Sequence, residues 1–384
     1  MRSKGGARAG FKSNSPVAAD GPASGEAPEK QAVQHTPSNR RSMTMLSTLK
    51  LPPLDGSDDG ESPRAAARAE RLRTVYTASH KGARLGGLTI SMDQHHDTMY
   101  VFFNDKIGHI YQAPSPNDFT VDGDFARVYA KTSGRPNGMV AVRGGDGAVQ
   151  LLVTDMLRKG ILVVSENGFD VMVDRIPNAT KPNRHRKFNG PNHVLPDSQG
   201  NVFFTDSGEL RHCTAGRLSG SVFVATAPPP GSAPGAHPEV TPIIDGGLAY
   251  PSAMAWIGVG DLLICESFLN RILRAQLDRE TGEWRVGIFA RFQQRFGPTA
   301  IAVRRNTKRS GLRDRCDGDK FSVFVGHSAL KAHNEEACVL RLTPKGDVAE
   351  QYDVPGSIYI TSMVLRSPES LFLTSKERVL QLFV

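Results

Sequence analysis

The side chains best suited to hold a ligand follow a proline at four places along the chain. These side chains are two amides and two hydroxyls, which can bind a polar ligand or offer an oxygen to a cation. Because proline fixes the backbone before each of them, we expect the four side chains to have the same orientation in four equivalent repeats. The dipeptides are Pro136-Asn137, Pro191-Asn192, Pro251-Ser252 and Pro298-Thr299.

The sequence indicates no nucleophilic centre. No Ser/His/Asp or Cys/His arrangement is supported, and no two cysteines form a Cys-x-x-Cys pair.

Four widely separated cysteines favour reduced thiols, so we expect a cytoplasmic protein. Mitochondrial import is the alternative, because the first 19 residues carry four basic residues and no acid. The cysteines are Cys213, Cys265, Cys316 and Cys338.

Composition separates a tail from a repetitive body. Residues 1–70 are rich in Ala, Gly, Ser and Pro and nearly lack aromatic side chains, which predicts a disordered tail. The 384 residues include 38 Gly and 25 Pro, a content typical of turn-rich proteins.

No apolar run reaches about 18 residues, so no membrane span is expected. The net charge of +8 is too small for this length to predict nucleic-acid binding.

A short apolar run that ends in a polar residue occurs six times, at intervals of about 50–60 residues. Alternating segments that precede and follow each run are typical of β-strands. Six units of three or four antiparallel strands predict an all-β fold, a six-bladed β-propeller. The runs are TMYVFFND (98–105), VQLLVTD (149–155), NVFFTD (201–206), DLLICES (261–267), FSVFVGHS (321–328) and SLFLTSK (370–376).

The sixth unit lacks an outer strand of its own. The segment TVYTAS (74–79) has no blade, so we expect it to supply that strand and to close the ring. One propeller domain would then span residues 74–384. Its blades are predicted at 85–130, 135–176, 189–245, 250–292, 297–354 and 357–384, the last completed by 74–79.

The first strand of each blade lines the central channel in this fold. We expect the starts of these strands to converge on one ligand site. The expected channel residues are Asn137, Asn192, Ser252, Thr299 and Thr361, with Gly87 at the corresponding place in blade 1.

Three stretches make the chain resemble the senescence marker protein, gluconolactonase and luciferin-regenerating enzyme family of six-bladed propellers. KFNGPNHVLPDSQGNVFFTDSG (187–208) is similar to the Ser-Pro-Asn-Asp block of gluconolactonases, and YPSAMAWIGVGDLLICESFLNRILRAQLD (250–278) to a later Pro-Asn-Gly block. RPNGMVAVRGGDGAVQLLVTDMLRKGILVV (135–164) also resembles diisopropyl-fluorophosphatase-type propellers. The resemblance implies a hydrolase of lactones or small esters that acts in the central channel with a divalent cation, usually calcium.

The resemblance also implies which side chains hold that cation: a Glu, two Asn-type oxygens and an Asp. Asn192 matches one Asn, whereas the other positions are Ser252, Thr299 and Gly87. Both carboxylates are therefore replaced, and a hard dication in a partly buried channel needs anionic oxygens. We expect calcium binding to be weak unless Asp93 or Asp97 substitutes. The alternative function is a non-catalytic propeller that binds a small molecule or a protein partner.

Other polar groups have structural or surface interpretations. Strand alternation turns His193 away from the channel and favours a packing role. Three of the acids that end second strands are expected to cap turns or bond neighbouring blades. The basic segment RRNTKRSGLRDR (304–315) predicts either a solvated loop or a lip that binds an anionic partner. The three acids are Asp155, Asp206 and Glu266.

Overall fold

The computed structural model describes the chain from residue 71 onward, with gaps. The predicted tail of residues 1–70 lies outside the described part. The described ranges are 71–78, 84–93, 98–114, 126–177, 185–208, 218–226, 238–293, 297–305, 321–329 and 336–384.

Six four-stranded antiparallel sheets form the blades, and in each of the first five the strands follow one another in chain order. Blade 1 consists of β2 (Leu85–Asp93), β3 (Thr98–Asp105), β4 (His109–Pro114) and β5 (Arg127–Lys131). Blade 2 consists of β6 (Pro136–Arg143), β7 (Val149–Asp155), β8 (Gly160–Ser165) and β9 (Gly168–Val173). Blade 3 consists of β12 (Pro191–Pro196), β13 (Val202–Asp206), β14 (Gly220–Thr226) and β15 (Glu239–Leu248).

The second half of the chain repeats this arrangement. Blade 4 consists of β16 (Pro251–Gly258), β17 (Asp261–Glu266), β18 (Arg271–Leu277) and β19 (Trp284–Arg291). Blade 5 consists of β20 (Gly297–Arg305), β21 (Phe321–Ser328), β22 (Cys338–Leu342) and β23 (Val348–Asp353). Blade 6 consists of β24 (Ser362–Ser367), β25 (Ser370–Ser375), β26 (Arg378–Phe383) and β1 (Leu72–Thr77).

Two smaller elements stand outside the blades. The strands β10 (Arg175–Pro177) and β11 (His185–Lys187) pair with each other as a short ribbon, and Ser267–Leu269 forms one 3-10 turn after β17. Among the described residues, no helix has the length and apolar character needed to cross a membrane.

The predicted six-bladed propeller and its closure by an N-terminal strand are confirmed. Strand β1 pairs antiparallel with β26, with Leu72 opposite Leu382. It begins two residues before the predicted segment 74–79, because the pairing register extends to Leu72. Val75 and Tyr76 are buried, and the Tyr76 ring lies 4.6 Å from that of Phe103 in blade 1. The closing strand therefore contributes to the core as well as covering a sheet edge.

The hydrophobic core is divided into six clusters, one at each interface between neighbouring blades. Consecutive side chains on a strand face opposite sides of its sheet. Phe203 therefore packs toward blade 4, whereas Phe204 packs toward blade 2. Likewise Phe102 packs toward blade 2 and Phe103 toward blade 6. The sequence accordingly has continuous apolar runs in the second strands, because both faces of each sheet are buried.

The first strand of each blade contacts the first strands of its two neighbours, so these strands form the innermost ring. This ring runs β2, β6, β12, β16, β20, β24 and back to β2. Each of these strands begins at the end of the ring where the second strand of its blade finishes. We call this end the channel mouth.

Candidate functional site

Polar side chains at the channel mouth join several pairs of neighbouring blades. They lie at or just after the ends of second strands and bond to the entry of the following blade's first strand. Asn104 donates to the Asn137 carbonyl (2.8 Å) and Thr154 to the Asn192 carbonyl (2.9 Å). We call this set of bonds the interblade seam. It also includes Ser267 Oγ to Pro298 O (2.6 Å), Ile360 N to Ser328 Oγ (3.1 Å) and Thr374 Oγ1 to Gly86 O (2.8 Å).

The two predicted asparagines meet at the boundary between blades 2 and 3. The side-chain amide of Asn137 donates to Oδ1 of Asn192, and the amide of Asn192 donates to Ser207 Oγ (2.9 Å). Asn192 is buried, whereas Asn137 is partly exposed. The oxygen that the family resemblance assigns to a cation is therefore already bonded to a neighbouring amide.

The three predicted hydroxyl residues are also bonded within the ring. Ser252 Oγ donates to the Pro298 carbonyl (3.1 Å). Thr299 Oγ1 lies 2.7 Å from the Ile360 carbonyl and 2.6 Å from Ser328 Oγ, and it is buried. Thr361 Oγ1 donates to the Leu85 carbonyl (3.0 Å). Each hydroxyl thus contributes to holding neighbouring blades together.

Glycines let the innermost strands approach closely at the same level. A Cβ placed on Gly87 would lie 2.1 Å from the Asn137 carbonyl oxygen and 2.9 Å from the Met139 nitrogen. A Cβ on Gly138 would lie 2.5 Å from the Asn192 carbonyl oxygen. These neighbours are backbone atoms, so no side-chain rotation could make room. The position that corresponds to the family's first-blade Glu cannot hold a larger side chain in this packing.

Three of the acids that end second strands bind the loop that enters their own blade. Asp155 accepts from the backbone N–H of Arg135 (3.0 Å), and Asp206 accepts from that of Gly190 (2.7 Å). Glu266 accepts from the backbone N–H of Ala249 (2.8 Å) and pairs with Arg271 (2.5 Å). The expectation that these acids cap turns agrees with these contacts. Their charges are directed at backbone amides and a guanidinium rather than at the channel axis.

Burial shifts the pKa values of two groups on blade 3. It raises the pKa of Asp206, and the backbone N–H groups of Asn189 and Gly190 oppose that rise. It also lowers the pKa of His193 to about 4, so this ring is uncharged at neutral pH. Among the described residues, Nδ1 of His193 has no hydrogen-bond partner. The His193 backbone N–H donates to Thr205 Oγ1 (3.0 Å).

The donor set at the mouth does not fit the divalent cation that the resemblance implies. The side-chain oxygens at the predicted positions are amide or hydroxyl oxygens without charge. The Asn192 oxygen already accepts a hydrogen bond from the Asn137 amide. A dication in such a site would lack the anionic ligands that balance its charge. In the part of the chain that the structure describes, no three His, Cys, Asp or Glu side chains are grouped to hold a metal ion.

Other polar groups are bonded within the fold, and several sequence candidates lie outside the described residues. His327 pairs with Pro298 at the mouth end of β21, where it is buried and bonds to Asn270 Oδ1 (2.9 Å). Arg304 donates to the Pro368 carbonyl (2.9 Å) at the far end of β20. Cys265 and Cys338 are buried free thiols. The side chain of Asp93, and the whole of Asp97, segment 306–315, Cys213 and Cys316, lie outside the described part.

Sequence reasoning missed the side chains that build the interblade seam. Asn104, Thr154, Ser267, Ser328 and Thr374 were visible only as the polar residues near the ends of the six apolar runs. Their common position was the available signal. For the acids beside them, that position left open turn caps or bonds between blades, and the structure uses these uncharged side chains between blades.

Comparison with protein-family models finds no match, and sequence comparison with curated proteins finds none. Comparison of folds finds similar solved structures. A gluconolactonase from Xanthomonas campestris has a TM-score of 0.56 at 16% identity, over 83% of this chain and 92% of its own. A luciferin-regenerating enzyme has a TM-score of 0.56 at 12% identity, over 82% of this chain and 95% of its own.

A calcium-binding protein, regucalcin, from Agrobacterium tumefaciens has a TM-score of 0.51 at 12% identity, over 80% of this chain and 93% of its own. At these identities the likeness establishes the fold alone. The expected resemblance is confirmed at that level: the chain has the six-bladed propeller fold of gluconolactonase, luciferin-regenerating enzyme and regucalcin.

Proposed function

We propose that this protein is a non-catalytic propeller that binds a small polar molecule at the channel mouth without a divalent metal centre. One observation carries the proposal. The close approach of β2 to β6 leaves no space for a carboxylate at Gly87, whose Cβ would lie 2.1 Å from a backbone oxygen. The neighbouring oxygens hold blades together, which removes the donors that a metal-dependent hydrolysis would use.

The mouth still offers groups that can recognise a ligand. Asn137 is partly exposed, and its hydrogen bond to Asn192 uses one of its two side-chain N–H groups. Thr361 is also partly exposed beside the entry to β2. Such groups, fixed by rigid neighbouring strands, suit a polar ligand better than an apolar one.

The test is lactone and ester turnover by the full chain. D-glucono-δ-lactone and p-nitrophenyl acetate are offered with calcium, manganese, zinc or magnesium, and acid release is followed by pH-stat. The proposal predicts that acid is released no faster with the protein present than with each metal ion alone. Hydrolysis that depends on the metal and is abolished by Asn192→Ala, with the fold of the variant intact, would contradict it.

A second candidate is a hydrolase of lactones or small esters. It is supported by the likeness in fold to a gluconolactonase and a luciferin-regenerating enzyme, and by the asparagine pair Asn137 and Asn192 at the mouth. Such an enzyme would need a cation held by groups other than those of the interblade seam. The same turnover assay distinguishes the two candidates.

A further inference from the structure

Two exposed apolar side chains lie on neighbouring turns at the channel mouth. Ile107 is in the turn between β3 and β4, and Leu157 is in the turn between β7 and β8. Their exposed fractions are 64% and 61%. Both turns begin where a second strand ends, so they belong to the mouth end of blades 1 and 2. Apolar side chains of this size gain free energy when another surface removes them from water.

The segment that joins blade 1 to blade 2 holds these two turns together. The backbone N–H of Thr132 donates to the Gly108 carbonyl (2.8 Å), and that of Met156 donates to the Arg135 carbonyl (3.0 Å). The Arg158 guanidinium donates to the Thr132 carbonyl (2.6 Å). The two turns and the joining segment therefore form one packed surface, which we call the basic rim. It consists of residues 105–109, 131–135 and 155–159.

A buried aspartate fixes each of the two turns from inside. Asp105 accepts from the backbone N–H of Ile107 (3.0 Å), and Asp155 accepts from that of Leu157 (3.0 Å). Both carboxylates belong to buried residues. The exposed side chains of Ile107 and Leu157 are therefore carried by turns whose backbone is already bonded, which lowers the entropy lost on docking.

Cations outnumber accessible acids on the basic rim. Lys131 and Lys159 are exposed, and Lys106 is partly exposed. Arg84 is exposed and adjacent, because the backbone N–H of Lys106 donates to its carbonyl (3.1 Å). The acids of these three segments are the two buried aspartates, which are bonded within the fold. The six basic residues are Arg84, Lys106, Lys131, Arg135, Arg158 and Lys159.

We propose that the basic rim docks this protein on a membrane surface rich in anionic phospholipid, with Ile107 and Leu157 inserted among the headgroups. The inference goes beyond the proposed ligand binding and does not depend on it. Clusters of about four to eight Lys and Arg side chains are attracted to anionic lipid surfaces, and apolar side chains inserted beside them add buried area. Two separate exposed side chains on rigid turns suit a deformable headgroup layer, whereas a folded protein would need two matching pockets.

Co-sedimentation of the full chain with lipid vesicles tests the docking. One set of vesicles contains phosphatidylcholine alone, and the other contains about 30% phosphatidylserine in phosphatidylcholine. We expect binding to the second set only, and weaker binding as the salt concentration rises, because salt screens the attraction. Equal binding to both sets, or binding to neither, would overturn the inference.

Variants distinguish the basic rim from net charge and general hydrophobicity. We expect Ile107→Ser, Leu157→Ser and Lys159→Gln each to weaken binding about fivefold or more. Val259→Ser and Lys345→Gln are the matched controls at the opposite end of the propeller, where Val259 is 79% exposed and Lys345 is exposed in the turn between β22 and β23. All five changes are on exposed side chains and should leave the melting temperature unchanged. Controls that weaken binding as much as the rim variants would overturn the inference.

A tryptophan at the rim reports insertion directly. Brominated phosphatidylcholine in the phosphatidylserine vesicles should quench the fluorescence of Ile107→Trp more than that of Val259→Trp. The native Trp256 and Trp284 contribute equally to both variants. Equal quenching in the two variants would contradict insertion through the basic rim.

An acidic protein is the alternative partner for a basic surface, so soluble polyglutamate is added to the same assay. If polyglutamate binds and lipid leaves Ile107→Trp unquenched, the rim binds acidic chains by charge alone and the membrane inference is overturned. The turnover assay of the proposed function is run without vesicles, so its outcome is independent of this one.

Discussion

The side-chain amide of Asn137 donates a hydrogen bond to the side-chain oxygen of Asn192, and this bond joins blades 2 and 3 at the channel mouth. Both residues lie at the start of the first strand of a blade. These strand starts converge at the channel mouth, where a propeller could hold a ligand. A cation bound through that oxygen would have to share it with the Asn137 N–H group. The ring of polar residues is therefore explained first as part of the blade packing.

Substitution of Gly87 tests how closely blades 1 and 2 approach. Gly87→Ala would place a methyl group 2.1 Å from a backbone oxygen, so we expect it to reduce the free energy of unfolding by about 1–3 kcal/mol. Urea unfolding followed by tryptophan fluorescence measures the change. Gly145→Ala is the matched control, because nothing lies within 4 Å of its added Cβ. Equal stability of the two variants would show that the strands are not closely packed at Gly87.

Removal of one hydroxyl tests the energetic contribution of the interblade seam. Thr299→Val keeps the side-chain shape but leaves the Ile360 carbonyl without its 2.7 Å partner, in a buried place. We expect a loss of about 1–3 kcal/mol in the free energy of unfolding. Thr241→Val, on an exposed face of β15, should change it by less than about 0.5 kcal/mol. A neutral Thr299→Val would show that the bond contributes little to joining blades 5 and 6.

The fold was predictable from sequence because its signals are periodic and repeated. Runs such as VQLLVTD (149–155) are continuously apolar, as expected for strands buried on both faces, and the alternation on either side of them predicts further strands. Six repeats predict six blades. The closing strand was predictable because 74–79 had no blade and the sixth unit lacked a strand. Its start at Leu72 was not predictable, since register depends on pairing with Leu382, which local patterning does not specify.

The candidate site was predictable only in part. The positions of Asn192 and Thr299 at strand starts followed from the proline pattern, but their partners did not. Thr154 and Ser328 are 38 and 29 residues away from them in sequence. Contacts between blades depend on how closely two sheets approach, and that distance is set by glycines such as Gly87 and Gly138. Isolated glycines in a sequence indicate a turn as readily as a close contact.

Truncation tests the closure of the ring. A chain that lacks residues 1–77 loses β1 and the buried side chains of Val75 and Tyr76, which exposes the edge of β26. We expect a lower melting temperature and concentration-dependent aggregation, as measured by differential scanning fluorimetry and light scattering. A chain that lacks only residues 1–70 is the control and should retain the melting temperature of the full chain. Equal behaviour of the two truncations would contradict a stabilising role for β1.

The pH dependence of stability tests the environment of His193. Its pKa is about 4 in the folded protein and about 6.5 in the unfolded chain, so the unfolded chain binds more protons between these values. Stability from this group is complete above about pH 6.5 and is lost as the pH falls toward 4. His193→Gln should therefore lose less stability than the unchanged protein between pH 7.5 and pH 4.5.

The control for that experiment is His185→Gln, which changes an exposed histidine on β11. Its stability should follow that of the unchanged protein across the same pH range. Identical pH profiles for His193→Gln and the unchanged protein would mean that His193 is protonated equally in the folded and unfolded states.

Calcium titration of the full chain tests the central claim most directly, with binding heat and melting temperature recorded together. The structure predicts no saturable heat in the micromolar range, and no rise in melting temperature at about 1 mM calcium, because the oxygens at the mouth are neutral and already bonded. One calcium ion bound per chain with micromolar affinity, and lost in Asn192→Ala, would contradict this account of the channel mouth.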